Sequence, residues 1–155
     1  MDLRTDPDFF DLLSWSYHSL IGRPLVPNGM VGAQAAQWLY SEAPFAILAH
    51  NTEPDPIFVY GNEAAQRLFE YTWEELTKLP SRLSAETPDR AERAQFLEAV
   101  KRYGYIQGYR GIRVSKSGRR FSIENATVWQ LIDSEGVWHG QAALLPIEMD
   151  GSFRS

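Results

Sequence analysis

A chain of 155 residues and 17.7 kDa fits a single domain, since one core commonly serves roughly 100–200 residues. It has no cysteine, which excludes a disulfide framework, a thiolate nucleophile, cysteine-ligated zinc and iron–sulfur clusters. A net charge of −5 and a pI near 5.2 argue against wholesale binding to nucleic acid or anionic membrane. The opening Met1-Asp2-Leu3-Arg4-Thr5-Asp6 has no secretory character, and apolar stretches such as Ala142-Ala143-Leu144-Leu145 fall far short of a bilayer span. A soluble, cytoplasmic protein without a membrane role is expected.

Residues 8–20 place Phe9, Leu12, Leu13, Ser16, Tyr17 and Leu20 at helical three-and-four spacing. Asp6 is the expected cap and Pro7 suits the first turn. Gly22 ends this helix, and Pro24, Pro27 and Asn28-Gly29 make a connector to a second helix over 31–41. The two helices form an N-terminal arm, 1–41, ahead of a main domain over 42–149 and a tail over 150–155 expected to fray. The arm's Trp15, Tyr17, Trp38 and Tyr40 carry more apolar surface than a solvated helix needs. The arm therefore either folds back on its own sheet or meets a second chain, and a homodimer through the N-terminal helices is expected.

Residues 44–50 read as an apolar strand, and 57–60 as a second that runs into Gly61-Asn62. Asn62 is an expected helix cap, Thr72 and Glu75 form a capping box, and Thr87-Pro88 opens a longer helix with a stripe of Ala91, Ala94, Leu97 and Val100, ended by Gly104. Three strands follow over 105–114, 119–132 and 137–146, joined at Ser117-Gly118 and Ser134-Glu135-Gly136. Strict alternation puts Phe121, Ile123, Asn125, Thr127, Trp129 and Leu131 on one face, and separates Trp138, Gly140, Ala142 and Leu144 from His139 and Gln141. The resulting fold class is α+β: a five-stranded antiparallel sheet with short helices on one face and an N-terminal helical arm.

Charge is uneven. Residues 101–120 hold seven bases and no acid, whereas 42–98 hold eleven acids against five bases. A basic solvent face beside acidic helices is the plainer expectation; an anion or acidic-partner surface is the other.

This element order resembles the PAS fold, most clearly at Pro56-Ile57-Phe58-Val59-Tyr60-Gly61-Asn62-Glu63-Ala64-Ala65 with Leu68-Phe69, and at the hairpin around Ser117-Gly118-Arg119-Arg120-Phe121. More narrowly, Glu42-Ala43-Pro44-Phe45, the 50–56 loop, 79–86, 89–93, Gly108-Tyr109-Arg110-Gly111 and His139-Gly140-Gln141-Ala142-Ala143 resemble the MEKHLA domain over about 8–146. That family is a PAS-related module, found alone in bacterial proteins and at the C-terminus of plant class III homeodomain–leucine zipper regulators. The resemblance to the stand-alone form implies a sensory or interaction module with an unnamed ligand. It does not bring DNA binding, because no homeodomain or zipper is visible here.

Candidate chemistry is sparse. His18, His50 and His139 show no His-Glu-x-x-His pattern, so no metal site is expected. There is no Gly-x-Ser-x-Gly elbow and no phosphate-cradling glycine loop. The flavin–cysteine photocycle of light-sensing PAS relatives is excluded for want of a cysteine; the cofactor stays unknown, with bare flavin or another small organic ligand open. The candidate ligand-binding residues are Asn125 and Thr127, a polar pair on an aromatic face, with Trp129, Phe121, Ile123, Arg82 and Trp138. No catalytic residue is assigned. For Asn125 and Thr127 the alternatives are ordinary strand hydrogen bonds or exposure after a bulge; for Arg82, a surface ion pair near Glu86.

Two functions remain in view. The leading one is a non-enzymatic PAS-like sensory, ligand-binding or protein-interaction module in signal transduction, acting on an unknown downstream protein. The alternative is a small acid–base enzyme of isomerase or hydratase type on a cone-shaped α+β fold. Two strands before the helices and three after distinguish the first; long helices before all strands would mark the second.

Overall fold

Asp6 caps the first helix by accepting from the Phe9 amide at 2.9 Å, and Gly22 closes it in the left-handed region. The computed structural model describes residues 2–85 and 87–147, so the tail over 150–155 and Glu86 lie outside it. In chain order it shows α1 (Pro7–Ile21), α2 (Gly32–Ser41), β1 (Phe45–His50), β2 (Phe58–Gly61), α3 (Glu63–Phe69), α4 (Trp73–Leu76), a 3-10 turn (Ser81–Ser84), α5 (Thr87–Tyr103), β3 (Tyr105–Val114), β4 (Arg120–Ile132) and β5 (Trp138–Pro146). The strands pair antiparallel in the order β2-β1-β5-β4-β3. Two strands precede the helical run and three follow it, the order expected of the sensory reading and not of the cone-shaped enzyme.

Both sheet faces are covered. On the inner face α3, α4 and α5 pack against Ala46, Leu48, Phe121, Ile123, Ala126 and Leu145. On the outer face the arm folds back: Phe10, Leu13 and Tyr17 of α1 and Ala35, Ala36 and Leu39 of α2 meet Ile47, Ala49, Trp129, Leu131 and Ala142. β1 alternates between these two cores, which is why residues 46–50 are all buried and read as one apolar run.

Asn62 ties the layers together. Its side chain is fully buried, accepts from the Ile47 and Ala65 amides at 3.0 Å, and donates to the Leu39 and Phe45 carbonyls at 3.1 and 2.9 Å. One residue thus caps α3 and joins it to α2 and β1, with all four of its amide bonds met. The Thr72–Glu75 capping box forms in both directions.

The expected single face for 121–131 does not hold. Asn125 has φ 57° and is exposed. Between the pairs Tyr109↔Ala126 and Gly111↔Ile123, β4 carries one residue more than β3. This bulge reverses the alternation. Phe121 and Ile123 face inward, whereas Trp129 and Leu131 face the arm. A second bulge, on β5 between the Gln130↔Gln141 and Ile132↔Trp138 pairs, returns Trp138 towards α5, where Lys101 Nζ lies 5.2 Å from its ring. Gly140 sits in this bulge because a Cβ there would fall 1.9 Å from the His50 carbonyl oxygen. The stripe expected on α5 is also displaced: Val100 is buried and Leu97 half-buried, but Ala91 and Ala94 are exposed, and Arg93 and Phe96 take their place over the sheet.

Candidate functional site

Between the inner sheet face and α5 lies a hollow of about 60 Å³ that widens through an open mouth to about 530 Å³ of free space. Its walls are mainly apolar: Leu48, Phe58, Phe69, Phe96, Leu97, Ile123, Val128 and Leu145. Phe96 of α5 stacks on Tyr109 of β3 with ring centres 3.9 Å apart, closing one side. Six polar side chains interrupt this wall: His50, Ser84, Arg93, Tyr109, Arg113 and Gln141.

His50 and Gln141 are register partners on β1 and β5 and point to the same side. His50 Nδ1 lies 2.9 Å from the Asn51 carbonyl. A carbonyl only accepts, so Nδ1 carries the proton and Nε2 holds a bare lone pair. That Nε2 is buried without a partner. Burial, opposed in part by the Asn51 carbonyl and aided by the Arg93 charge, pulls the His50 pKa down to about 4. Gln141 donates Nε2 to the Leu97 carbonyl at 3.1 Å, and its Oε1 is likewise buried without a partner.

Arg113 of β3 is 7% exposed. It donates to the Ile112 carbonyl at 2.9 Å and to the Tyr109 hydroxyl at 3.0 Å, with its guanidinium 5.4 Å from the Tyr109 ring. Gly111 makes this arrangement fit, since a Cβ there would lie 2.6 Å from the Tyr109 hydroxyl. Arg93 of α5 faces the same hollow, where burial and then the Arg113 charge lower its pKa to about 10. No hydrogen bond or ion pair joins Arg93 to another described residue, and no carboxylate among the described residues lines the hollow.

Of the residues expected from sequence, Ile123 lines this hollow and Phe121 stands behind it, edge-on to Phe69 at 5.2 Å. The others are placed elsewhere. Trp129 is fully buried beneath α1, where its Nε1 donates to Ser16 Oγ at 3.0 Å and Tyr17 meets its ring edge at 4.9 Å. Thr127, paired with Leu144, is buried towards the same outer side, and Asn125 is exposed on its bulge. Arg82 makes a surface pair with Asp55 at 3.1 Å, and Trp138 lies at the far end of β5. Sequence reasoning missed His50, Gln141, Arg93 and Arg113. The available signal was parity from the short, unbulged β1, which sets His50 on the same face as Ala46 and Leu48.

Three bases of the basic stretch form ion pairs. Arg119 reaches Glu70, Lys116 reaches Glu75 and Arg110 reaches Glu124. Hydrogen bonds from Ser117 and Ser115 hold the Glu70 carboxyl down at about 2 and fasten the β3–β4 turn to the end of α3. Arg113 is the base of that stretch turned into the hollow.

Comparison with known proteins agrees with this architecture. The chain is 30% identical over 143 residues to the homeobox-leucine zipper protein ATHB-9 of Arabidopsis thaliana, covering 86% of this chain but 17% of that protein's length. Among solved structures, a PAS domain from Colwellia psychrerythraea superposes with a TM-score of 0.59 at 17% identity, over 68% of this chain and 87% of its own. An RNA-binding light-oxygen-voltage receptor gives 0.64 at 22% identity, over 78% of this chain and 33% of its own. The fungal blue-light photoreceptor Vivid, in its light-state dimer, gives 0.56 at 19% identity over 84% and 91%. These likenesses establish a PAS-type fold. The MEKHLA domain model matches residues 8–147, arm helices included, and the chain therefore belongs to the MEKHLA domain family.

Proposed function

We propose that this MEKHLA domain is a sensory module that takes a small organic ligand into the hollow beneath α5 and passes its occupancy to a partner protein. The reading rests on one observation: His50 and Gln141 line an apolar hollow, and each carries a buried acceptor, Nε2 and Oε1, without a partner among the described residues. Each unmet buried acceptor costs about 1–3 kcal/mol, which a ligand's donor would recover. The role is recognition and not bond-making. Output requires that the ligand distinguish two positions of a neighbouring element. α5 is suited to this, because Gln130 and Gln141 hold its Lys101 and Leu97 carbonyls from the sheet. Thermal unfolding of the full chain against a panel of small metabolites tests the reading. A stabilising compound should lose its effect in Ala143→Phe, which fills the hollow; stabilisation that survives the substitution would put the site elsewhere, and turnover of the compound would make the domain an enzyme.

The proposed setting is the cytoplasm; among the described residues no helix is long and apolar enough to cross a membrane. In this reading 42–149 is the sensory part and 1–41 an arm folded onto it. The homodimer through the N-terminal helices is confined to the outer side of α1, since the inner side covers the sheet. Trp15, 46% exposed, is the large apolar group there. Light scattering should then show a dimer for the native chain and a monomer for Trp15→Glu; an unchanged mass would place any interface away from α1.

A further inference from the structure

We infer that the ligand of this hollow is a small hydroxy-carboxylate: an organic anion that also carries a hydrogen-bond donor and an apolar body. The inference rests on the ligand-binding reading above and assigns its chemistry. Among the described residues, two guanidiniums face the hollow and no carboxylate does. Arg113 is buried with only neutral partners, the Ile112 carbonyl and the Tyr109 hydroxyl. Arg93 has no hydrogen-bond or ion-pair partner among the described residues, and the Arg113 charge acts against it. A buried cation such as Arg113 without a counter-ion is costly, and the half-buried Arg93 facing the same space adds to the cost. A carboxylate between them answers both, because the planar fork of arginine matches its two oxygens.

The anion alone does not satisfy the site. His50 Nε2 and Gln141 Oε1 are acceptors: His50 Nδ1 holds the ring proton towards the Asn51 carbonyl, and an amide oxygen such as Gln141 Oε1 can only accept. A carboxylate offers them only further lone pairs. They call for an O–H or N–H on the ligand in addition to its charged end, because His50, Gln141, Arg93 and Arg113 all line the one hollow. The remaining wall, Phe58, Phe69, Phe96, Val128 and Leu145, suits an aryl or branched alkyl group. An enclosed volume of about 60 Å³ holds a few water-sized groups, which suits the polar head of such a compound, with its body towards the mouth.

Mandelate carries all three features. Phenylacetate lacks its hydroxyl, and mandelamide lacks its charge. Each is titrated into the isotope-labelled full chain while the arginine Nε–H, Gln141 amide and His50 ring resonances are followed. One enantiomer of mandelate should bind at least about tenfold tighter than either analogue and shift the signals of Arg93, Arg113 and His50. Arg93→Met keeps the apolar stem and removes a charge with no partner among the described residues, so the unliganded variant should unfold no earlier than the native chain. It should bind mandelate and mandelamide alike. Mandelamide binding as tightly as mandelate to the native chain, or mandelate binding unchanged in Arg93→Met, would overturn the anion assignment and leave a ligand pocket standing. Phenylacetate equal to mandelate would overturn the donor. No shift at the hollow with any of the compounds at about 10 mM would overturn this assignment, and a stabilising compound from the metabolite panel that loses its effect in Ala143→Phe would leave the ligand-binding reading standing.

Discussion

Burial and the Arg93 charge hold the His50 imidazole neutral down to about 4, against its ordinary 6.5. The sign of the consequence follows from linkage. Between these two values the unfolded chain takes up a proton that the folded chain refuses, so stability falls as pH drops below about 6.5 and the loss is complete below about 4. At 1.36 kcal/mol per unit the full effect is at most ~3 kcal/mol. Denaturant unfolding between pH 7 and 5 should show a decline that His50→Gln flattens, a window chosen to precede most carboxylate titration. A profile identical in the variant would mean that His50 is solvated or protonated in the fold. The same residue shows how far sequence could go. Its strand and its face were legible from the apolar run of 45–50. Its bare nitrogen was not, because that depends on the Asn51 carbonyl taking the other proton and on α5 covering the hollow.

At the scale of elements, α1, α2 and the two strands before the helices were legible to within a residue or two, as were the capping box and the Asn62 cap. Each is signalled by groups close in sequence: Asp6 beside Pro7, Thr72 three before Glu75, Asn62 at a strand end. β4 was legible as a strand but not in its facing, since one left-handed residue moves every later side chain across the sheet. Asn is among the few residues other than glycine that adopt this conformation readily. Asn125→Gly should therefore leave stability within a few tenths of a kcal/mol, while Asn125→Val should cost about 1–2 kcal/mol. Equilibrium unfolding of the two variants checks this. Equal stability would mean that Asn125 does not need a positive φ and that the bulge lies elsewhere in the strand.

At the scale of the molecule, the arm supplies the core of the outer sheet face. The aromatic load of 13% is spent largely here and at the adjoining ring cluster, where Tyr60 meets Phe9 at 5.4 Å and Trp73 at 5.8 Å. Trp129→Ala should cost about 3–5 kcal/mol, as expected of a buried tryptophan, yet leave ligand affinity at the hollow unchanged in the protein that stays folded. Calorimetric unfolding with a binding titration separates the two; a lost affinity with native stability would return Trp129 to the binding site. The amino-acid sequence by itself determined the element order, the caps and the family, because these depend on local spacing and on motifs a few residues long. Only the tertiary structure decided which face each side chain serves and which polar groups go unpaired. Those outcomes turn on two strand bulges and on the seating of α5, where His50, Arg93, Arg113 and Gln141, far apart in sequence, come to share one space.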